Sequence, residues 1–374
     1  MKLALVGPTY PFRGGIAQYT TLLCHHLRQG HEVEFYSFRR QYPRWLFPGR
    51  TDLDPGRPAV AVEAKRIIDP LQPWTWVQVA RRVRATAPDL LVMQWWVPFW
   101  APTLWTIARL SRTSGTRVLF VCHNVLPHEK RAIDRPLARW VLGQGDAFIV
   151  QSERDERDLL SLLPGVPVRR AFHPTYEELA YPGPPPADAR QQLGLPADAA
   201  VLLFFGFVRA YKGLATLIEA LPEIARHVDV RLLVVGEFWD DRAPYERQME
   251  ALGVRERVQV VDRYVPAEEL GVYFGAADVA VLPYADATQS GALQLAFGYG
   301  LPVVTTRVGG LAEVVDDGET GFLVPPGDPP ALAAAVARYF GQGLGPIFRA
   351  NVQARKDRFS WDHLVATIEE LARP

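Results

Sequence analysis

A chain of 374 residues with 48% hydrophobic and 22% charged content is too apolar for a disordered protein and long enough for two cores of ordinary size. Its formal charge is zero, yet residues 1–174 carry 24 Lys plus Arg against 14 Asp plus Glu, and residues 175–374 carry 17 against 27. Such asymmetry points either to an anionic surface or ligand for the first half or to attraction between the halves, while two cysteines, Cys24 and Cys122, exclude a disulfide framework and favour a reducing cytoplasm.

The N-terminal apolar run at 2–6 is cut by Gly7 and Pro8, so it reads as a strand and not as a secretion signal. It leads through GPTYPFRGG into the amphipathic segment IAQYTTLLCHHLRQG, where Gly14 and Gly15 expose backbone N–H groups at a helix start, a site for an anion. Further strand-length apolar runs lie at 32–38, 89–94, 117–124 and 147–152. The Pro- and Gly-rich stretch YPGPPPADAR (181–190) then reads as a linker. Beyond it the runs resume at 200–208, 230–237, 257–261, 278–283 and 302–306. Continuous apolar runs alternating with helix-length amphipathic segments indicate parallel strands buried on both faces. The sequence predicts an α/β chain of two tandem doubly wound, Rossmann-like domains, with ligands bound beyond the strands' carboxyl ends in an interdomain cleft. Expected boundaries are 1–174, a linker at 175–199, a second domain at 200–358 and a last helix within 359–374.

Several segments carry chemistry. After the run 200–208, RAYKG places Arg209 and Lys212 about a turn, with Gly213 opening a helix. Two cations at that spacing suit a diphosphate, each charge-assisted hydrogen bond contributing about 1.5–3 kcal/mol, and a solvated turn is the plainer alternative. Neither a dinucleotide G-x-G-x-x-G nor a P-loop is present. The stretch ATQSGALQLAFGYGLP (287–302) holds no charged residue. Asp52, Leu53 and Asp54 spell D-x-D, but in a Pro/Gly loop, where a solvated turn is expected and no essential metal. Residues 90–108 carry no formal charge over a length that could span a bilayer. Gln94, Pro98 and Pro102 interrupt them, and strand–loop–helix is the expectation. Trp95, Trp96, Phe99 and Trp100 fall where that strand ends, as stacking faces for sugar rings, as membrane-interface residues or as core. The basic, aromatic segment RRQYPRWLFPGR (39–50) suits anionic headgroups, and no nucleic-acid motif accompanies it.

The segments RGGIAQY, GFVRAYKG (206–213), VGE (235–237), YVPAEELGVYFGAADVAVLPY (264–284), GLPVVTTRVGGLAEVVDDGETGFLVPPGD (300–328) and the end after FSWDHL together resemble retaining family 4 glycosyltransferases of the GT-B fold, over nearly the whole chain. The resemblance implies a nucleotide-diphosphate-sugar donor on the second domain and a saccharide or lipid-linked saccharide acceptor on the first. It puts Arg209 and Lys212 on the donor diphosphate, as cations that stabilise the departing phosphate without metal or cofactor. His123, in CHNVLPHE, falls on the histidine that faces the donor sugar, with a structural histidine as the alternative reading. His128 and Glu129 then approach the acceptor with Trp95 and Trp96. The donor site is completed by Gly14, Gly15, Glu237, Tyr264, Thr288, Gln289, Ser290 and Gly291. Two glutamates usual in the family are replaced by Ala287 and Leu295, leaving hydroxyl, amide and backbone groups to read the sugar. The last helix, about 362–372, is expected to pack back on the first domain. The implied setting is bacterial-type polysaccharide or glycolipid assembly in the cytoplasm, with peripheral contact at the membrane's inner face through the basic domain and no nucleic acid partner. The alternatives are a non-catalytic GT-B-fold binding protein and a non-hydrolysing nucleotide-sugar epimerase.

Overall fold

In a computed structural model of the protein, the described residues are 1–43, 45, 47, 49–113, 115–127 and 131–373. They divide into two units: Met1–Pro174 together with the segment from Ser360 onward, and Thr175–Phe359.

The first unit holds β1 (Lys2–Val6), β2 (Glu32–Phe38), β3 (Lys65–Ile68), β4 (Leu90–Trp95), β5 (Arg117–Cys122), β6 (Ala147–Val150) and β7 (Val168–Arg170), in the order β3-β2-β1-β4-β5-β6-β7. All neighbours are parallel, with Leu3 opposite both Val33 and Leu90. The second unit holds β8 (Ala200–Phe205), β9 (Val230–Val235), β10 (Val258–Val261), β11 (Val279–Leu282), β12 (Val303–Thr306) and β13 (Gly321–Val324), in the order β10-β9-β8-β11-β12-β13. Its neighbours are parallel as well. Both sheets are doubly wound, and each reverses its strand order once, between β1 and β4 and between β8 and β11. Loops diverge at such a reversal and leave a crevice beyond the carboxyl ends.

Central strands such as β4, LLVMQW, are buried along their whole length, which is why they read as unbroken apolar runs. Helices cover them by the same logic. Helix 214–227 buries Leu214, Leu217, Ile218, Leu221 and Ile224, a stripe at helical spacing. Side-chain N-caps start several helices, among them Ser152, Ser290, Asp328 and Ser360, each accepting from a backbone N–H of the first turn.

Three strands lie outside the runs expected from sequence: β3 (KRII), β7 (VRR) and β13 (GFLV). All three are sheet edges. Four expected runs also overshoot by two residues or more. The runs 147–152 and 230–237 pass β6 and β9 by two residues each. The run 117–124 leaves β5 at Cys122 and the run 200–208 leaves β8 at Phe205. Their apolar character continues because the loops beyond stay buried, as Val125 and Val208 do. The uncharged stretch 90–108 forms β4, a short turn and helix 101–111, and no described helix is long and apolar enough to cross a membrane.

The last helix, Trp361–Ala372, belongs to the first unit. Trp361 stacks on His26 with centroids 5.4 Å apart and lies 5.1 Å from the Tyr19 ring, both on helix 15–30. Glu369 pairs with His31 at 2.9 Å, and Glu370 with Arg169 at the same distance.

Candidate functional site

In the second unit the reversal between β8 and β11 carries the expected cations. Lys212 ends the short turn after β8, and its Nζ donates to the Tyr284 hydroxyl at 3.2 Å and lies 5.0 Å from that ring's centroid. Tyr284 follows β11, so this contact joins the two diverging loops. Ser290 Oγ donates to the same hydroxyl at 3.3 Å while accepting from Leu293 N, so it also caps helix 291–298. Desolvation works against the Lys212 ammonium, the Tyr284 and Tyr211 oxygens work for it, and the balance holds its pKa above the usual value. Lys212 is a fixed cation at neutral pH.

The turn that aims Lys212 depends on Gly213, with φ +74; a Cβ there would lie 1.9 Å from the backbone oxygen of Pro283. Arg209 comes from the start of the same turn. Its guanidinium lies 5.8 Å from the Tyr211 ring and 6.0 Å from the Trp239 ring, a distance at which cation–π attraction counts. Loops after β8 and β9 are zipped together by Val208 N to Glu237 O at 2.9 Å and Trp239 N to Val208 O at 3.1 Å. The zipper stacks Phe207 on Trp239 at 4.3 Å, with Tyr264 beside Phe207 at 6.4 Å. Glu237 is buried at the end of β9.

The uncharged loop is held from below. Gly310 N donates to Thr288 O at 3.0 Å, and a Cβ on Gly310 would come within 2.2 Å of the Gln289 amide nitrogen. Thr288, Ser290, Ala287 and Leu295 are all buried. A carboxylate at Ala287 or Leu295 would therefore be desolvated, a cost the neutral residues avoid.

In the first unit Gly14 precedes helix 15–30 at φ +103, a backbone conformation that favours glycine, with open space where a Cβ would be, and Gly15 is the first helical residue. His123 follows β5 directly and is buried, its Nε2 2.8 Å from Gln94 Oε1 at the end of β4 and its backbone N–H donating to Trp95 O. The Tyr19 ring meets the His123 ring edge-on at 4.6 Å and the His173 ring at 5.0 Å. Burial, with His173 adding to it, pulls His123 down to about 3, and burial pulls His173 to about 4. Asp155 anchors the loop after His123, accepting from Val125 N at 2.9 Å and from Ser152 Oγ at 2.8 Å; burial raises it to about 6.

These shifts predict a pH dependence. The histidine values lie below the ordinary 6.5, so unfolding takes up protons between about 3 and 6.5. Stability from both histidines is present above 6.5 and is lost as pH falls through that window. Asp155, raised from 3.8 to about 6, runs the other way, with fewer pK units moved. Unfolding midpoints in urea should fall from pH 7 to pH 4.5, and His123→Gln should flatten the slope. An unchanged slope would remove His123 from the account.

Trp95 is fully buried, its Nε1 donating to Val125 O at 3.2 Å, so it supports the His123 loop from the core. Trp96 is nearly as buried and bonds Tyr42 OH at 3.0 Å. Neither ring offers a free stacking face within the unit. His128 and Glu129 lie outside the described residues. Asp54 caps its own turn by accepting from Gly56 N. Exposed apolar side chains near the basic segment include Trp45 at 80%, Trp74 at 65% and Leu71 at 51%.

Sequence reasoning missed Tyr284, Trp239, Tyr19 and the partnership of Gln94 with His123. One signal was available for Gln94: it is the lone polar residue in an otherwise apolar strand, where an amide must have a partner.

With this geometry in place, comparison with known proteins is direct. Residues 14–175 match the family model "Glycosyl transferase 4-like domain" and residues 199–342 match "Glycosyl transferases group 1". Over 239 residues the chain is 31% identical to the D-inositol 3-phosphate glycosyltransferase of Acidothermus cellulolyticus, covering 61% of this chain and 53% of that protein. The enzyme of the same name from Xylanimonas cellulosilytica is 32% identical over 241 residues, 61% of this chain and 57% of its own length. The chain thus spans a little over half the length of these curated relatives. Among solved structures, sucrose-phosphate synthase from Thermosynechococcus elongatus superposes with a TM-score of 0.74 at 25% identity, over 100% of this chain and 98% of that one. Anabaena Alr3699/HepE in complex with UDP gives 0.76 at 20% identity, over 99% of both chains, a likeness of fold. The two models match one doubly wound unit each and together most of the chain, which belongs to the group 1, family 4-like glycosyltransferases of the GT-B fold.

Proposed function

We propose that the protein transfers a glycosyl group from a nucleotide-diphosphate-sugar bound to the second unit onto a hydroxyl of an acceptor bound to the first, with retention and without a metal. The observation that carries this is the Lys212–Tyr284–Ser290 bridge across the β8/β11 reversal. It holds a charged ammonium at the one place in this sheet where the topology opens a crevice. Breaking the sugar–phosphate bond develops negative charge on the departing diphosphate, and a cation already fixed there stabilises it with little reorganisation. Arg209 supplies the second positive charge. The loop 288–291 offers the sugar an amide, two hydroxyls and the start of a capped helix, with no carboxylate to repel the phosphates.

The reading is supported by structural neighbours described in complex with UDP and with UDP-glucose. Relatives named for D-inositol 3-phosphate favour a polar, hydroxyl-rich acceptor. His123 sits at the carboxyl end of β5 as a neutral imidazole suited to hydrogen-bonding a sugar hydroxyl. Polysaccharide or glycolipid assembly is the proposed setting.

Thermal shifts with UDP, GDP, ADP and dTDP test the donor site. At about 100 times its Kd a nucleotide adds roughly 2.7 kcal/mol. One nucleotide should stabilise the wild type and not Lys212→Ala; silence from all of them would overturn the reading.

Contact with an anionic membrane is proposed through Arg39, Arg40 and the exposed Trp45, Leu71 and Trp74. Each basic residue near such a surface contributes about 1 kcal/mol. Arg39→Glu with Arg40→Glu should cut flotation with phosphatidylserine vesicles at least tenfold; equal flotation of wild type and variant would sink it.

A further inference from the structure

A cavity of about 380 Å³ lies at the other end of the second sheet, among residues of the second unit alone. Asp278 stands immediately before β11 and Tyr299 shortly before β12, so the cavity opens at the strands' amino ends, away from Lys212. One wall is the linker. Gly183 presses against Gly271 of helix 267–276 so closely that a Cβ on Gly183 would fall 2.0 Å from the Gly271 carbonyl oxygen. Phe274 and Tyr299 form another wall, stacked at 4.5 Å and 9°.

The polar lining divides into groups that are used and groups that are not. Arg190 grips the Asp278 carboxylate with Nη2 at 3.0 and 2.9 Å, and gives Nε and Nη1 to the carbonyls of Ala276 and Ala197. The carboxylate also accepts from Val201 N. Arg349 spends only Nη2, on the carbonyls of Ala277 and Asp278. Its Nε and Nη1 have no hydrogen-bond partner among the described residues. The Tyr299 hydroxyl is buried and likewise without a partner among them. Burial raises its pKa, so it keeps its proton and remains a donor.

Two guanidinium groups against one carboxylate leave the lining with one net positive charge. The unspent groups on Arg349 and Tyr299 are donors, and the Asp278 carboxylate already accepts three hydrogen bonds, two of them from Arg190. A ligand that suits such a lining brings acceptors and negative charge, with a flat apolar part for the aromatic wall. The volume lies at the small end of ligand pockets.

We propose that this cavity is a second small-molecule site, taking a small organic anion, a carboxylate or a phosphate, on Arg349 and Tyr299. It does not depend on the donor site. Bound there, the anion would tie the linker to helix 267–276.

The experiment titrates benzoate and inorganic phosphate into the Lys212→Ala protein, where the other proposed anion site is disabled. Calorimetry and ligand-observed NMR give the Kd. Binding of at least one probe is expected, and the tighter of the two tells carboxylate from phosphate. Tyr299→Phe in the same background should weaken it roughly tenfold, since it removes one hydrogen bond to a charged group. It removes only a buried hydroxyl with no partner, so the fold should not suffer. Arg349→Gln should abolish binding. Failure of both probes to bind, or binding that Tyr299→Phe leaves unchanged, overturns the proposal. Neither outcome bears on the nucleotide reading, which rests on Lys212.

Discussion

Lys212→Ala should lower kcat by roughly 10²–10³ while the protein stays folded, the loss typical of removing one preorganised group from a developing oxyanion. The side chain is half-buried and its one hydrogen bond among the described residues is to the Tyr284 hydroxyl, which keeps Ser290 as a partner when the lysine is gone. Stability should therefore change little, and the loss should appear in turnover and in the nucleotide thermal shift together. Tyr284→Phe separates positioning from charge. It keeps the ring and the cation–π contact but removes the oxygen that accepts from Nζ, so a loss of about tenfold or more is expected from a hydrogen bond to a charged group. Steady-state kinetics with the nucleotide sugar identified by thermal shift provide the measurement. Full activity in Lys212→Ala would remove the leaving-group role and leave the family fold without its proposed chemistry.

Gly213→Ala should strike the fold and the site together. The residue sits at φ +74, and its added methyl would lie 1.9 Å from the Pro283 backbone oxygen, an atom that cannot swing aside as a side chain can. Left-handed backbone costs a non-glycine residue about 1–2 kcal/mol, and overpacking a tight contact typically adds about 1–3 kcal/mol. A total near 3 kcal/mol lowers the melting temperature of a unit this size by roughly 6–12 °C. Relief can come only by parting the loops after β8 and β11, and those loops carry Lys212 and Tyr284. Nucleotide affinity should fall along with the melting temperature. A stable variant with normal affinity would show that the close approach is not needed.

What the sequence displayed and what it hid follow from the same physics. Interior strands are buried on both faces and announce themselves as apolar runs, so β4, β5, β8 and β11 were legible with their order of appearance. Edge strands meet solvent on one side and need no such run. KRII and VRR are accordingly ordinary polar stretches until a neighbour supplies the hydrogen bonds. The site divides in a similar way. Arg209 and Lys212 were readable because a short turn after a buried strand fixes both by local spacing. Tyr284 was not, since its value comes from a partner 72 residues away. The same holds for Gln94 and His123, separated by 29 residues and joined only when β4 and β5 lie side by side. Trp95 shows the converse error. A tryptophan at a strand's carboxyl end invites a ligand-stacking role, but side chains alternate along a strand, and this one points into the core.

The first unit is closed by the last residues of the chain, and the whole second unit lies between its two parts. Thr175 N bonds Phe359 O at 3.0 Å, so the inserted unit begins and ends at one place. On the ribosome this order matters. At about 5–20 residues per second, the nearly 200 residues separating His26's half of the fold from Trp361 take roughly 10–40 s to synthesise. Throughout that interval, while the second unit is itself being made, helix 15–30 waits with the ring of His26 and the flank of Tyr19 not yet covered by Trp361. The unit made first is the one finished last.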